Sequence, residues 1–201
     1  MIPKILEDVG IFLNEVDIPI CTRHSDGRLN SAEDETTIIN ILQKKYGKEN
    51  IIEGVPRHWW DVKIFDYCTN IKSSTYKTAD NFSAKGAVLH SLTNMSEEEI
   101  TKIKSWPEFE NSLRGKKDED NNRDYYCLVL NKETNEVLMQ GLKTLTKLTP
   151  NGNNLLFQIN WSKNKEIIER THKEGYEFLI GAFVESVRKK VGIHEGYETL
   201  L

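Results

Sequence analysis

The chain has 201 residues, about one domain on the usual length prior and long enough to bury a sizeable core unaided. Hydrophobic residues make up 38% and charged residues 29%, too apolar for a disordered chain and too polar for membrane spans, and no run of about 18 apolar residues exists to cross a bilayer. Lys plus Arg number 27 against 31 for Asp plus Glu, a net charge of −4 that weighs mildly against a nucleic-acid partner, because phosphate binders usually carry excess positive charge.

Residues 3 to 16 place Ile5, Leu6, Val9, Ile11, Phe12, Leu13 and Val16 at helical spacing, which predicts a first amphipathic helix. Glu7 and Asp8 interrupt this stretch and no basic flank precedes it, so it does not read as a signal peptide. Cys21 to Asn30, with Ser25-Asp26-Gly27-Arg28 inside it, reads as a loop. Ser31 with Asp34 three residues on forms a variant capping box that opens a helix through about Lys45, closed by Gly47 and followed by the apolar pair Ile51-Ile52. From Trp59 to Thr75 the period changes to two. Residues 61–65 and 68–73 are expected to be two strands around a tight turn near Asp66.

Ala84 to Leu92 reads as helix, and Met95 to Trp106 as a small helix rich in Glu and Lys. The run from Gly115 to Asn122 has the composition of a charged, disordered loop. Tyr125 to Asn131 and Glu136 to Thr144 are expected to pair as a hairpin around residues 132–135, and Leu155 to Trp161 to form another strand. One or two helices close the chain, from about Asn164 to Val191. There is no repeat, no Pro- or Ser-rich linker and no second composition regime, so one mixed α/β domain over residues 1–201 is the economical expectation.

The cysteines, Cys21, Cys68 and Cys127, are odd in number and widely separated, which predicts free thiols and a cytoplasmic protein rather than a disulfide framework. Cys21 and His24 make a Cys-x-x-His pair, half of a zinc pattern, but no second pair follows, and the expectation is buried or half-buried thiols. His58, His90, His172 and His194 have no partner at a diagnostic spacing, and the glycine-rich loops of nucleotide-hydrolysing, dinucleotide-binding and α/β-hydrolase proteins are missing.

The pair of strands carries the chemistry. Alternate side chains share a face, so Asp61 goes with Lys63 and Asn70 with Lys72. A two-residue turn at Phe65-Asp66 sets Asp61 opposite Asn70, and Trp60, Val62, Ile64 and Ile71 then take the core face. Polar residues converging beside a hydrophobic layer are costly unless something binds them. The carboxylate of Asp61 and the amide carbonyl of Asn70 suit Mg²⁺, and Lys72 adds a positive charge near a phosphate or an attacking water. On their own, these four residues also fit a solvated face with cross-strand pairs. On its predicted helix Glu35 shares the spacing of Ile38, Ile39 and Leu42, which would put an acid on an inward stripe, whereas Asp34 is accounted for by the capping box. A second register would take Glu53 as the first acid and Asp61-Val62-Lys63 as an Asp-x-Lys element, leaving Asn70 and Lys72 unexplained.

Asp61 followed by Asn70-Ile71-Lys72 resembles the hairpin of the PD-(D/E)XK nucleases, with Asn70 where the second acid would stand. Residues 28–35, 59–63 and 79–85 running on to Leu92-Thr93 are similar to a group of type II restriction endonucleases, and the resemblance spans roughly residues 23 to 94. It implies a restriction-endonuclease-like α/β core with a central mixed sheet flanked by helices. The implied activity is Mg²⁺-dependent, site-specific cleavage of double-stranded DNA. Asp61, Glu35 and Asn70 would lie at the metal, and Lys72 would align water or stabilise the phosphate. A homodimer matched to a palindromic site and a cognate DNA methyltransferase in the same system are expected with it. Lys63, Lys77, Asn81 and Lys85 are the candidate DNA or phosphate contacts. Asp80-Asn81 is expected to be an Asx-type turn, and Asn153-Asn154 and Lys163-Asn164-Lys165 polar loops available to base edges or phosphates. The rival classes are a catalytically silent nucleic-acid-binding domain on the same fold and a protein-interaction domain.

Overall fold

The computed structural model describes residues 2–56 and 58–191, with only the backbone at Arg28, so His194 lies outside the described residues. In chain order the elements are α1 (Lys4–Asn14), α2 (Gly27–Tyr46), β1 (Ile51–Glu53), β2 (Val62–Ile64), β3 (Tyr67–Ser74), β4 (Asp80–Phe82), α3 (Lys85–Leu92), α4 (Glu97–Lys102), α5 (Trp106–Leu113), β5 (Tyr126–Asn131), β6 (Val137–Gly141), β7 (Thr149–Pro150), β8 (Phe157–Ile159) and α6 (His172–Val191). They fall into two compact units. Among the described residues, the first takes those up to Tyr76 together with Tyr125–Gly141, and the second takes Lys77–Asp124 and Leu142 to Val191.

The first unit is a mixed sheet in the order β1-β2-β3-β5-β6. The β3–β5 pair is parallel and the others antiparallel. Leu6, Val9 and Leu13 of α1 and Ile38, Ile39 and Leu42 of α2 pack on Ile51, Val62, Ile64, Ile71, Leu128, Leu130, Val137 and Met139 of the sheet. Full burial of each such side chain stabilises by about 1.5–3 kcal/mol, which anchors both helices to one sheet face. The mixed α/β class, with helices against a central mixed sheet, follows the sequence expectation.

The β2–β3 turn is the two residues Phe65 and Asp66, at φ 48° and 69°. Two consecutive left-handed residues make the hairpin turn whose twist matches its strands. Val62 pairs with Thr69, Lys63 with Cys68 and Ile64 with Tyr67, and this register continues to set Asp61 opposite Asn70. Gly47, at φ 87°, ends α2 where a side chain would be strained.

In the second unit β4, β8 and β7 form a small antiparallel sheet in that order. Phe82 stacks on Phe157 at 5.4 Å. Helix α3 is buried along nearly its whole length, and Trp106 and Phe109 of α5 pack on Phe183 of α6.

Four local expectations change. Helix α2 begins at Gly27, inside the expected loop, and Ser31 is already within it, donating to the Gly27 carbonyl at 2.9 Å. Asp34 therefore caps nothing: it is fully buried, bound by the Cys21 N–H at 2.7 Å, the Ser73 hydroxyl at 2.6 Å and Lys132 Nζ at 3.2 Å. Asp80-Asn81 is strand rather than turn, because Asp80 and Asn81 pair with Ile159 and Gln158, and Asp80 accepts from the Trp161 indole at 2.6 Å. Residues 115–122 are tied down rather than loose. Lys117 pairs with Glu177 at 2.6 Å and Asp118 with Lys173 at 3.1 Å, while buried Asn121 donates to the Thr93 carbonyl at 2.8 Å. Asn164 is likewise interior, closing on the Lys147 N–H at 2.8 Å and the Asn160 carbonyl at 2.7 Å, so it is withdrawn from base edges.

Candidate active site

Asp61 sits one residue before β2, where the sheet edge is unusually close. The Gly54 N–H donates to the Asp61 carbonyl at 2.7 Å, and a Cβ on Gly54 would stand 2.6 Å from the Trp60 carbonyl oxygen. Only glycine lets the chain leaving β1 come this near. The Asp61 N–H in turn donates to the Thr69 carbonyl at 3.0 Å, which fixes the residue against β3. Its Oδ2 then accepts the Ile71 N–H at 2.8 Å and the Asn70 side-chain amide. Both donors act on one carboxylate oxygen.

With its Nδ2 committed to Asp61, Asn70 presents its carbonyl oxygen Oδ1, which is buried and has no hydrogen-bond partner among the described residues. A buried acceptor without a donor costs about 1–3 kcal/mol. Lys72 is half-buried two residues further on the same face of β3, and among the described residues it makes no ion pair or side-chain hydrogen bond. On the neighbouring strand Asn70 pairs with buried Cys127 and Lys72 with buried Val129, so the floor beside these polar groups is apolar.

Glu35 comes from α2, one residue after the buried Asp34, and is half-buried. Its carboxyl is pushed up to about 7, first by burial and then by repulsion from Asp61 and Glu53, with Lys72 pulling the other way. Burial also raises the Asp61 carboxyl, opposed by the Ile71 N–H and by Lys72. Glu35, Asp61 and Lys72 therefore lie within electrostatic reach of one another, and Asp61 and Asn70 touch. Glu53, exposed on β1, joins only through its charge on Glu35. Two carboxyls raised above their usual range mainly by burial, an amide oxygen with no hydrogen-bond partner among the described residues and a lysine acting on both carboxyls make a site suited to a further cation.

The remaining named residues are placed as follows. Lys63 lies over the Trp60 ring at 5.3 Å. Lys77, Asn81 and Lys85 belong to the second unit. Lys77 is exposed; Asn81 accepts from Asn151 at 3.0 Å and Gln158 at 2.9 Å; Lys85 stands over the Trp106 ring at 5.0 Å and donates to the Lys104 carbonyl. Two contributors were invisible in the sequence. Gly54 carries no pattern that marks a close approach. Tyr125, fully buried, donates to the Trp59 carbonyl at 2.9 Å, and burial and the charges of Asp61 and Glu35 hold its phenol well above the usual tyrosine range.

The molecule is thus a mixed α/β protein with acid, amide and lysine groups gathered beside the β2–β3 hairpin. No protein-family model matches the chain, and no curated protein does. Among solved structures it is similar to a restriction endonuclease in complex with substrate DNA, at 14% identity and a TM-score of 0.29, over 63% of this chain and 52% of that one. The chain thus corresponds to about half the length of that neighbour. Among the described residues no helix is long and apolar enough to cross a membrane.

Proposed function

We propose that the protein is a metal-dependent nuclease that cleaves double-stranded DNA at specific sites, with Glu35, Asp61, Asn70 and Lys72 as its working residues. The observation that carries the reading is the buried Oδ1 of Asn70, without a hydrogen-bond partner among the described residues, beside two carboxyls that burial raises above their usual range. Carboxylate and amide oxygens are the donors that Mg²⁺ prefers, and a cation there would relieve both the repulsion and the orphaned acceptor. The residues present fit the ion: Asp61, Glu35 and Asn70 would hold it. When bound, Mg²⁺ supplies Lewis acidity to a phosphodiester oxygen and lowers the pKa of a bound water.

The chain's own residues do the rest. The Ile71 N–H and the Asn70 amide hold Asp61 in one orientation, so less ordering entropy is spent on this side chain when substrate arrives. The Lys72 ammonium, which makes no ion pair among the described residues, stabilises negative charge developing on the phosphate or orients the attacking water. Glu35, with Asp61 and Asn70, would hold the ion close to that water. Lys63, Lys77, Asn81 and Lys85 are proposed DNA or phosphate contacts, and a homodimer acting on a palindromic site with a cognate methyltransferase completes the restriction reading.

The test is digestion of plasmid and linear DNA of known sequence with Mg²⁺, with the ends mapped. Discrete fragments that vanish in Asp61→Ala and Lys72→Ala support it. Intact DNA across divalent metals refutes the nuclease. Asn70 in place of a second acid favours one alternative, a catalytically silent nucleic-acid-binding domain, which would then show as salt-sensitive DNA binding without cleavage.

A further inference from the structure

A second cluster lies at the start of α2, outside the nuclease residues. Cys21 Sγ is 2.8 Å from Glu33 Oε2, and His24 Nε2 is 2.8 Å from Glu33 Oε1. One donor atom from each of the three residues falls within 4.8 Å of the other two. The Cys-x-x-His pair lacked a partner in the sequence because its complement comes from a helix that begins only at Gly27. We propose that Cys21, His24 and Glu33 form a zinc site, with water in the fourth position.

The donor types choose the metal. A thiolate, an imidazole and a carboxylate suit a borderline ion such as Zn²⁺, while Mg²⁺ disfavours sulfur and nitrogen. Tetrahedral Zn–S and Zn–N bonds of about 2.3 and 2.0 Å put neighbouring donors roughly 3.5 Å apart. Small rotamer changes in three half-buried side chains reach that spacing from the present one.

The supporting shell is already built. The Asn30 carbonyl oxygen accepts the His24 N–H at 3.0 Å, and its amide donates to the His24 carbonyl at 2.9 Å, so the loop carrying His24 is held as a strand partner would hold it. The Cys21 N–H is fixed by buried Asp34 at 2.7 Å. Such partners usually orient ligands and decide whether they converge. Arg23 pairs with Glu33 Oε2 at 2.5 Å, but its side chain is 77% exposed and can leave for solvent. On binding, the Cys21 thiol proton passes to solvent and the imidazole keeps one nitrogen unprotonated for the ion; no redox change is involved. The site would clamp the segment before α2 to the helix that, two residues later, carries Glu35.

The test uses the full chain stripped of metal and titrated with Co²⁺, then Zn²⁺, followed by absorption. The expected result is a thiolate-to-cobalt charge-transfer band with tetrahedral visible bands, bleached by Zn²⁺ and unaffected by a large excess of Mg²⁺. Cys21→Ser should abolish the charge-transfer band. His24→Asn and Glu33→Gln should weaken Zn²⁺ binding at least about tenfold, since even loss of a group that only orients a ligand costs that much. Cys68→Ser and Cys127→Ser, with far-ultraviolet circular dichroism confirming their folds, should leave the band intact. Absence of the band in the wild type, or its survival in Cys21→Ser, overturns the site and leaves the nuclease proposal untouched.

Discussion

Replacing Glu35 by Gln is expected to stabilise the metal-free protein while abolishing cleavage. The carboxyl moves from an ordinary 4.5 to about 7 in the folded chain. Because the folded value is the higher one, the folded state holds a proton that the unfolded state releases. The stability this confers is complete below about 4.5 and is lost as pH rises through about 7. Gln carries no charge and escapes that loss. At about 1.36 kcal/mol per pH unit the displacement is worth at most about 3 kcal/mol, and partial exposure of the side chain screens it to about 1–2 kcal/mol. Urea unfolding in chelator should therefore show the variant more stable by that amount at pH 8 and equal at pH 4, with a melting temperature higher by several degrees at pH 8. Mg²⁺ should narrow the gap, because it offsets the repulsion in the wild type only. A variant no more stable than the wild type at pH 8, or one equally stabilised at pH 4, would show that Glu35 is not held against its own charge beside Asp61.

Asn70→Asp places a second carboxylate against Asp61 Oδ2 and removes its amide donor. Unfolding in chelator should show a loss of about 1–3 kcal/mol, recovered by Mg²⁺ or Ca²⁺. Lys72→Met should leave divalent-cation binding unweakened by calorimetry while removing cleavage, since it subtracts only the charge near the phosphate. Gly54→Ala should lower cleavage far more than stability, because its Cβ displaces the backbone beside Asp61; comparing rates with urea midpoints checks it. Asp34→Ala takes the shared acceptor from half-buried Lys132 and from two further donors and should cost about 1–3 kcal/mol by the same unfolding assay, whatever happens to activity.

Some of the site was legible because it depends on short-range geometry. A two-residue turn with both residues left-handed leaves one register, so spacing alone set Asp61 opposite Asn70 and put both on Lys72's side of the hairpin. Alternation of period two does not change when distant strands join the sheet. Helix boundaries were less secure. Ser31 and Asp34 satisfy a capping pattern, yet α2 starts at Gly27, because burying Asp34 against Ser73 and Lys132, residues remote in the chain, outweighs a local cap.

The sequence by itself determined the alternation that makes the hairpin, the apolar stripes that dock α1 and α2, and the residue types able to hold a hard cation. Only the tertiary structure decided how those residues are used. It buried Asp34, brought Glu35 into the field of Asp61 and Lys72, and left Asn70 Oδ1 without a donor among the described residues. It also carried Glu33 to the Cys21–His24 pair. The reason is physical: an acid's protonation and a carbonyl's vacancy depend on burial and on neighbours brought close by packing, and neither is encoded in the spacing of the residues that carry them.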